Sequence, residues 1–195
     1  SKLWHADLGE EVCAQIAYWP HEEIVFEACY DVKDSSKIPF ELAGLKRYYL
    51  SDNSGVRSSI ALISATTLAH PAIMDVASTN AGGWAKFTLN RYLNNRVYKA
   101  FPDKWKQLMK QVKVYSSIGE KSVETSSSDC YVFIPSISEL TTGVTGAPYE
   151  SEGSIISHFT DNNSRICYNM DGVAVQYWTR SPSTGWANYV YRITN

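Results

Sequence analysis

"VQYWTRSPSTGWANYVYRITN" occupies residues 175–195, and its two halves read differently. In the first half Trp178 and Arg180 stand two apart on a strand-forming run, so alternation sends both side chains to one face. Beyond Pro182 the composition changes to Ser183, Thr184, Trp186, Asn188, Tyr189 and Tyr191. Tyr, Trp, Ser and Asn are residues that binding surfaces favour: aromatics give contact area at low entropic cost, and small polar groups adapt. An ordinary last strand over 187–193, with Tyr189 and Tyr191 on one face and Asn188 and Val190 on the other, accounts for the same residues. The stretch therefore reads as a strand followed by a candidate ligand-binding surface.

Working back along the chain, "RICYNMDGVAVQYWTRSP" predicts a strand centred on 173–178, and "GSIISHF" (153–159) predicts a short helix. "SISEL" predicts one helical turn capped by Ser136, with Glu139 at capping-box spacing. "CYVFIPSI" (130–137) predicts a strand ended by Pro135, between the polar loops "SSIGEKSVETSSSD" (116–129) and "TTGVTGAPYESEG" (141–153). "TLNRYLNNRVYKAF" places Leu89, Leu93, Val97 and Phe101 on one face of a helix over 88–101, with Thr88 as its N-cap. Pro102 interrupts. A second helix over 103–112 follows, capped by Asp103, with Trp105, Leu108, Met109 and Val112 on its apolar stripe and lysines opposite. "AGGWAKF" reads as a turn before the first helix.

The first third predicts strands: 12–20, ended by Pro20, and 22–32, with Ile24, Phe26 and Ala28 on one face. A loop with a helical turn follows over 34–44, then two strands around the turn "SDNSG". Helices and strands are segregated rather than alternating, which argues α+β. No repeat or linker divides residues 1–195, so one domain is expected. Trp178, Leu93 and Phe133 are expected in its core.

Of 195 residues 44% are hydrophobic and 19% charged, a soluble balance able to bury a core. A net charge of −2 leaves no overall electrostatic footprint for nucleic acid or an anionic membrane. No apolar run reaches the ~20 residues of a membrane helix, and "SKLWHADLGEEV" has no signal-peptide core. Synthesis in a bacterial cytoplasm is expected. Cys13, Cys29, Cys130 and Cys167 are too scattered for a zinc site and read as reduced, mostly buried thiols. His5, His21, His70 and His158 stand alone. Asp7, Glu10 and Glu11 read as a solvated acidic face, and "DNNS" (161–164) lacks the full ligand pattern of a calcium loop. No hydrolase, phosphate-loop or dinucleotide motif is present. No catalytic residue, metal or cofactor is expected.

Three elements in order, "WAKFTLNRYLNNRVYKAF", "DCYVFIPSISEL" and "QYWTRSPS", resemble a domain of unknown function common in gut bacteria and their phages. Its pattern is a Trp, a helix ending in W/Y-L-N-N, a strand V-F-L-L-S and a late W-L-R-S-P. Tyr92-Leu93-Asn94-Asn95 and Trp178-Thr179-Arg180-Ser181-Pro182 match it, and the likeness covers roughly residues 55–195. The resemblance implies a C-type-lectin-like fold close to formylglycine-generating-enzyme-like domains: two central helices, a small, mainly antiparallel sheet and long loops. It also implies kinship with the variable proteins of diversity-generating retroelements, whose C-terminal region is altered to change ligand choice.

In that resemblance Trp178 and Arg180 are scaffold: the Trp packs and the Arg satisfies buried carbonyls or a carboxylate. The V-R-P-A segment of such proteins does not occur before Asn195. The paired cysteines of the generating enzymes and the E-P-N, Q-P-D and W-N-D motifs of calcium-dependent lectins are also missing. The expected function is a non-enzymatic recognition module on a phage virion or a cell surface. Its partner would be a protein or glycan on a host surface, neighbouring virion subunits, or a second copy in a homo-oligomer. An architectural head or tail decoration subunit and a degenerate formylglycine-generating-type enzyme are the alternatives.

Overall fold

The computed structural model describes residues 23–25, 37–67, 72–145, 147, 152–169 and 171–194, with side chains from Phe40 onward. The expected strand at 12–20, the acidic group Asp7, Glu10 and Glu11, and His5, His21, His70, Cys13 and Cys29 lie outside the described residues.

The chain mixes α and β, with small antiparallel sheets and few helices. β1 (Glu23–Val25), β2 (Lys37–Leu45) and β3 (Ile60–Ser64) form one sheet in that order. β2 takes the place of the loop expected over 34–44. Pro39 pairs with Glu23 of the short β1, and the register with β3 slips by a bulge between Leu42 and Gly44. The "SDNSG" turn forms, with Asn53 and Gly55 left-handed and Leu50 N–H bonded to Val56 O (2.8 Å). An isolated bridge from Leu50 to Val112 continues toward the next hairpin.

That hairpin is β4 (Val112–Ser117) with β5 (Thr125–Cys130). It corrects two expectations. The second helix, α3 (Asp103–Leu108), stops before Val112, and half of the polar loop at 116–129 is strand. Val112, Val114 and Ser116 alternate inward and are buried, so a period of two prevails over the helical spacing that Val112 also satisfies.

The first helix runs as α1 (Thr88–Tyr92), a π-helical turn (Leu93–Val97) and α2 (Tyr98–Ala100). Leu89, Leu93, Val97 and Phe101 are all buried. Thr88 is the first helical residue rather than the cap. Asp75 does the capping from outside, its Oδ1 accepting from Thr88 Oγ1 (2.6 Å) and Thr88 N–H (3.3 Å). Asp103 likewise lies inside α3, where it pairs with Lys106 at 2.8 Å.

The expected strand at 130–137 is irregular beyond Cys130, where a side chain satisfies the backbone of Tyr131 and Val132. Asn94, on the π turn, accepts from Tyr131 N–H (2.7 Å) and Val132 N–H (3.2 Å) and donates to Val132 O (2.8 Å). α4 (Ile137–Leu140) has the expected capping box of Ser136 and Glu139. Residues 153–159 form a turn rather than a helix, with Ile156 N–H held by Glu139 O (2.8 Å).

β6 (Cys167–Tyr168) pairs with β7 (Ala174–Val175), and β8 (Tyr177–Pro182) with β9 (Val190–Ile193). The β8–β9 register breaks between Trp178 and Pro182, so strict alternation fails: Thr179, Arg180, Ser181 and Pro182 are all buried, while Trp178 is half-buried. Phe133 is half-buried too. Both still pack on the larger apolar cluster, built from Met74, Trp84, Phe87, the helical stripe, Val112, Val114 and Cys130. A smaller cluster joins Ala43, Leu140, Ile156 and Phe159.

Of the thiols, Cys130 is buried and Cys167 half-buried, and both are free. Burial pushes both up from the usual thiol range. Among the described residues no helix is long and apolar enough to cross a membrane.

Candidate functional site

The segment joining β8 to β9 closes on itself. Ser183 N–H donates to Tyr189 O (2.9 Å), and Ser183 Oγ accepts from Gly185 N–H (3.1 Å). Asn80 fixes this loop from below and is wholly buried. Its Nδ2 donates to Trp186 O (2.9 Å) and Tyr189 O (2.8 Å), and its backbone N–H to Ala187 O (2.8 Å). Its Oδ1 accepts from Glu120 N–H at 2.8 Å, which brings the β4–β5 turn alongside. Buried carbonyls need such partners, because an unpaired one costs its full desolvation penalty.

The neighbouring turn is built to let Asn80 in. Gly119, Glu120 and Lys121 are left-handed in succession (φ 78°, 53° and 68°). A Cβ on Gly119 would lie 1.8 Å from Asn80 O, so only glycine admits this approach. The Gly82-Gly83 pair ahead of α1 serves the same packing. A Cβ on Gly83 would lie 1.8 Å from Ser117 O, and the following Trp84 is fully buried.

What the clamped loop presents is aromatic. Trp186 is 66% exposed and Tyr189 58%, with ring centroids 5.9 Å apart and planes inclined at 54°. Asn188, beside them, is exposed. These three share one loop surface. The other residues expected at the site are placed differently: Ser183 is buried in the turn, Thr184 is half-buried, and Tyr191 sits on β9 with its hydroxyl donating to Thr145 O (2.8 Å). Because β9 begins at Val190, Tyr189 belongs to the loop, and the alternation expected to align it with Tyr191 does not operate.

Behind the hairpin lies a buried polar cluster centred on Arg180, whose side chain is 0% exposed. Nε donates to Tyr115 O (2.9 Å), Nη1 to Ile134 O (2.9 Å) and Glu139 Oε2 (2.7 Å), and Nη2 to Glu152 O (2.6 Å). One guanidinium thus joins β8 to β4, to the irregular 131–136 segment, to α4 and to residue 152. Burial works against its charge, and the Glu139 carboxylate more than restores it, so Arg180 holds its proton more tightly than usual. Glu139 Oε1 accepts from Tyr48 OH (2.9 Å), and burial, reinforced by Glu139, pushes that phenol well up.

Glu152 completes the cluster. Its Oε1 accepts from Ser117 N–H (2.6 Å), and its Oε2 contacts Ser181 Oγ, which itself accepts from Ile137 N–H (2.9 Å). Burial pushes the Glu152 carboxyl up to about 7, against the opposing pull of Ser181, Arg180 and Ser117.

Other sequence candidates engage in local contacts. In "DNNS", Asp161 Oδ1 accepts from Ser164 N–H (2.8 Å), closing the loop on itself. His158 lies 3.4 Å from Glu41 at the surface. Asn80 and Glu152 were missed from sequence. The only hint of Asn80 is an amide before the tight "AGG" turn, and of Glu152 an acid before Gly153; their partners lie 28 to 109 positions away.

Comparison with curated proteins and with solved structures finds no match to this chain. The sequence profile of a family described as a domain of unknown function (DUF6273) matches residues 58–195, which span both the Asn80-clamped loops and the Arg180 cluster. The chain belongs to the DUF6273 family.

Proposed function

We propose that the chain is a non-enzymatic recognition module of C-type-lectin-like type, carried on a virion or a cell surface, whose ligand contact is the Trp186–Asn188–Tyr189 loop. The observation that carries this reading is an exposed Trp–Tyr pair on a loop whose carbonyls are fixed by the wholly buried Asn80. Exposed aromatic surface is left in water at a cost, and a loop ordered in advance loses little entropy when a partner docks. A few aromatic anchors commonly dominate such contacts. Kinship with retroelement-diversified proteins fits the same picture, since an aromatic and polar loop on a fixed scaffold tolerates changes of side chain without loss of fold.

The test is a panel of immobilised glycans and bacterial envelope fractions probed with the purified chain, alongside light scattering for self-assembly. Trp186→Ala and Tyr189→Ala should each weaken the association found by more than ~1 kcal/mol while the fold is kept. Undiminished association in both variants would move the working surface elsewhere. Loss of light-scattering assembly alone would favour an architectural subunit.

A further inference from the structure

Among the described residues, the Arg180 cluster holds more acid than base. Within it lie one guanidinium and two carboxylates, Glu139 and Glu152, at 0%, 0% and 1% exposure respectively. Glu139 takes the guanidinium directly at 2.7 Å. Glu152 gives Arg180 only its backbone carbonyl, and its carboxyl faces neutral donors, Ser117 N–H on β4 and Ser181 Oγ on β8. Among the described residues, Tyr48 donates to Glu139, the buried Cys130 thiol feels the Arg180 charge, and Arg47 reaches the carbonyls of Ser154 and Ile155. No described cation beyond Arg180 contacts either carboxylate, so an ionised Glu152 is a second negative charge against one positive charge in a site closed to water.

We infer that Glu152 is a proton-controlled tie: protonated, it seats the 152–156 segment against β4, α4 and β8, and ionised, it loosens that joint. Burial outweighs the hydrogen bonds from Ser181 and Ser117 and the Arg180 charge, which favour the ionised form. Ser181 Oγ can donate to a carboxylate or accept from a carboxylic acid, so the contact survives in either state and desolvation decides between them. The carboxyl's elevation to about 7 places the change near neutral pH. The sign follows from linkage. A carboxyl that binds its proton more tightly when seated favours the seated form fully below its ordinary value of 4.5, and that preference is lost as pH rises through about 7. The inference stands independently of the recognition reading.

The test uses the full chain with carbon-13-labelled glutamate, titrated by NMR from pH 4 to 9, with Glu152→Gln identifying the resonance. Gln reproduces the neutral acid, with an acceptor for Ser117 N–H and a donor for Ser181 Oγ. The Glu152 carboxyl is expected to titrate near pH 7. Hydrogen exchange, corrected for intrinsic rate, should show the Ser117 and Ile156 amides opening at least ~10-fold more often at pH 8 than at pH 6, because both are bonded within the joint. In Glu152→Gln the corrected opening should not change with pH. A titration midpoint below about 5 would overturn the inference, as would the same exchange response in the Gln variant. If that variant does not fold, tracing the exchange-linked carboxyl in the wild-type chain still decides between these outcomes.

Discussion

Asn80 and Arg180 do similar work at the loop and along the first strand of one hairpin. Each is a wholly buried polar side chain that joins segments distant in sequence by donating to backbone carbonyls. They differ in what lies beyond them. Arg180 is wholly buried, its charge matched by an equally buried Glu139. Asn80 has the main apolar cluster's Trp84 turn on one side and, on the other, a loop whose side chains reach solvent. The charged residue makes a scaffold, and the neutral amide fixes a surface. That division corresponds to the break within residues 175–195 at Pro182.

Removing Arg180 should give the largest effect. Arg180→Met leaves Glu139 buried without its cation and orphans the carbonyls of Tyr115, Ile134 and Glu152. A loss of about 3–5 kcal/mol is expected in chemical denaturation, or failure to fold. Arg180→Lys should recover only part of it, since an ammonium cannot match the planar fork. A loss below about 1 kcal/mol would show that the cluster is not structural.

Next in size is the pH response. Between pH 4.5 and about 7 the raised Glu152 carboxyl should remove on the order of 3 kcal/mol of stability as pH increases, with nothing further lost above that range. Denaturation midpoints of the wild type and Glu152→Gln, compared across pH, isolate this term. Equal slopes in the two proteins would remove it.

Asn80→Ala should cost about 1–3 kcal/mol through the bonds its amide loses to Trp186 O, Tyr189 O and Glu120 N–H. Its effect should differ in kind from that of Arg180. Hydrogen exchange should rise in Ser183–Tyr189 and in the 118–124 turn, while amides in α1 stay protected. Equal loosening of both regions would erase the distinction between scaffold and surface.

Much of the fold was legible where one side chain's role is set by near neighbours. The Leu89–Leu93–Val97–Phe101 stripe, the Ser136–Glu139 capping box and the "SDNSG" turn all follow from spacing within a few residues. Legibility failed where the partner is remote. Asn94 and Arg180 displace the ladder expected for 130–137, and a Ser/Thr-rich run becomes β5 because β4 supplies the buried face. Asp75 caps α1 from 13 positions away. The site divides in the same way. Trp186, Asn188 and Tyr189, singled out by composition, lie exposed, whereas Ser183, singled out on the same ground, is buried in the turn. Only the fold shows that difference.

The smallest expected effect on stability is also the most informative. The Trp186→Ala/Tyr189→Ala double variant removes two exposed rings and no buried contact, so its denaturation free energy should stay within ~0.5 kcal/mol of the wild type. Measured on the same preparation, its association with the glycan, envelope fraction or second copy bound by the wild type should weaken at least ~10-fold. Retention of wild-type association, or loss of the fold itself, would contradict the assignment of this loop as the working surface.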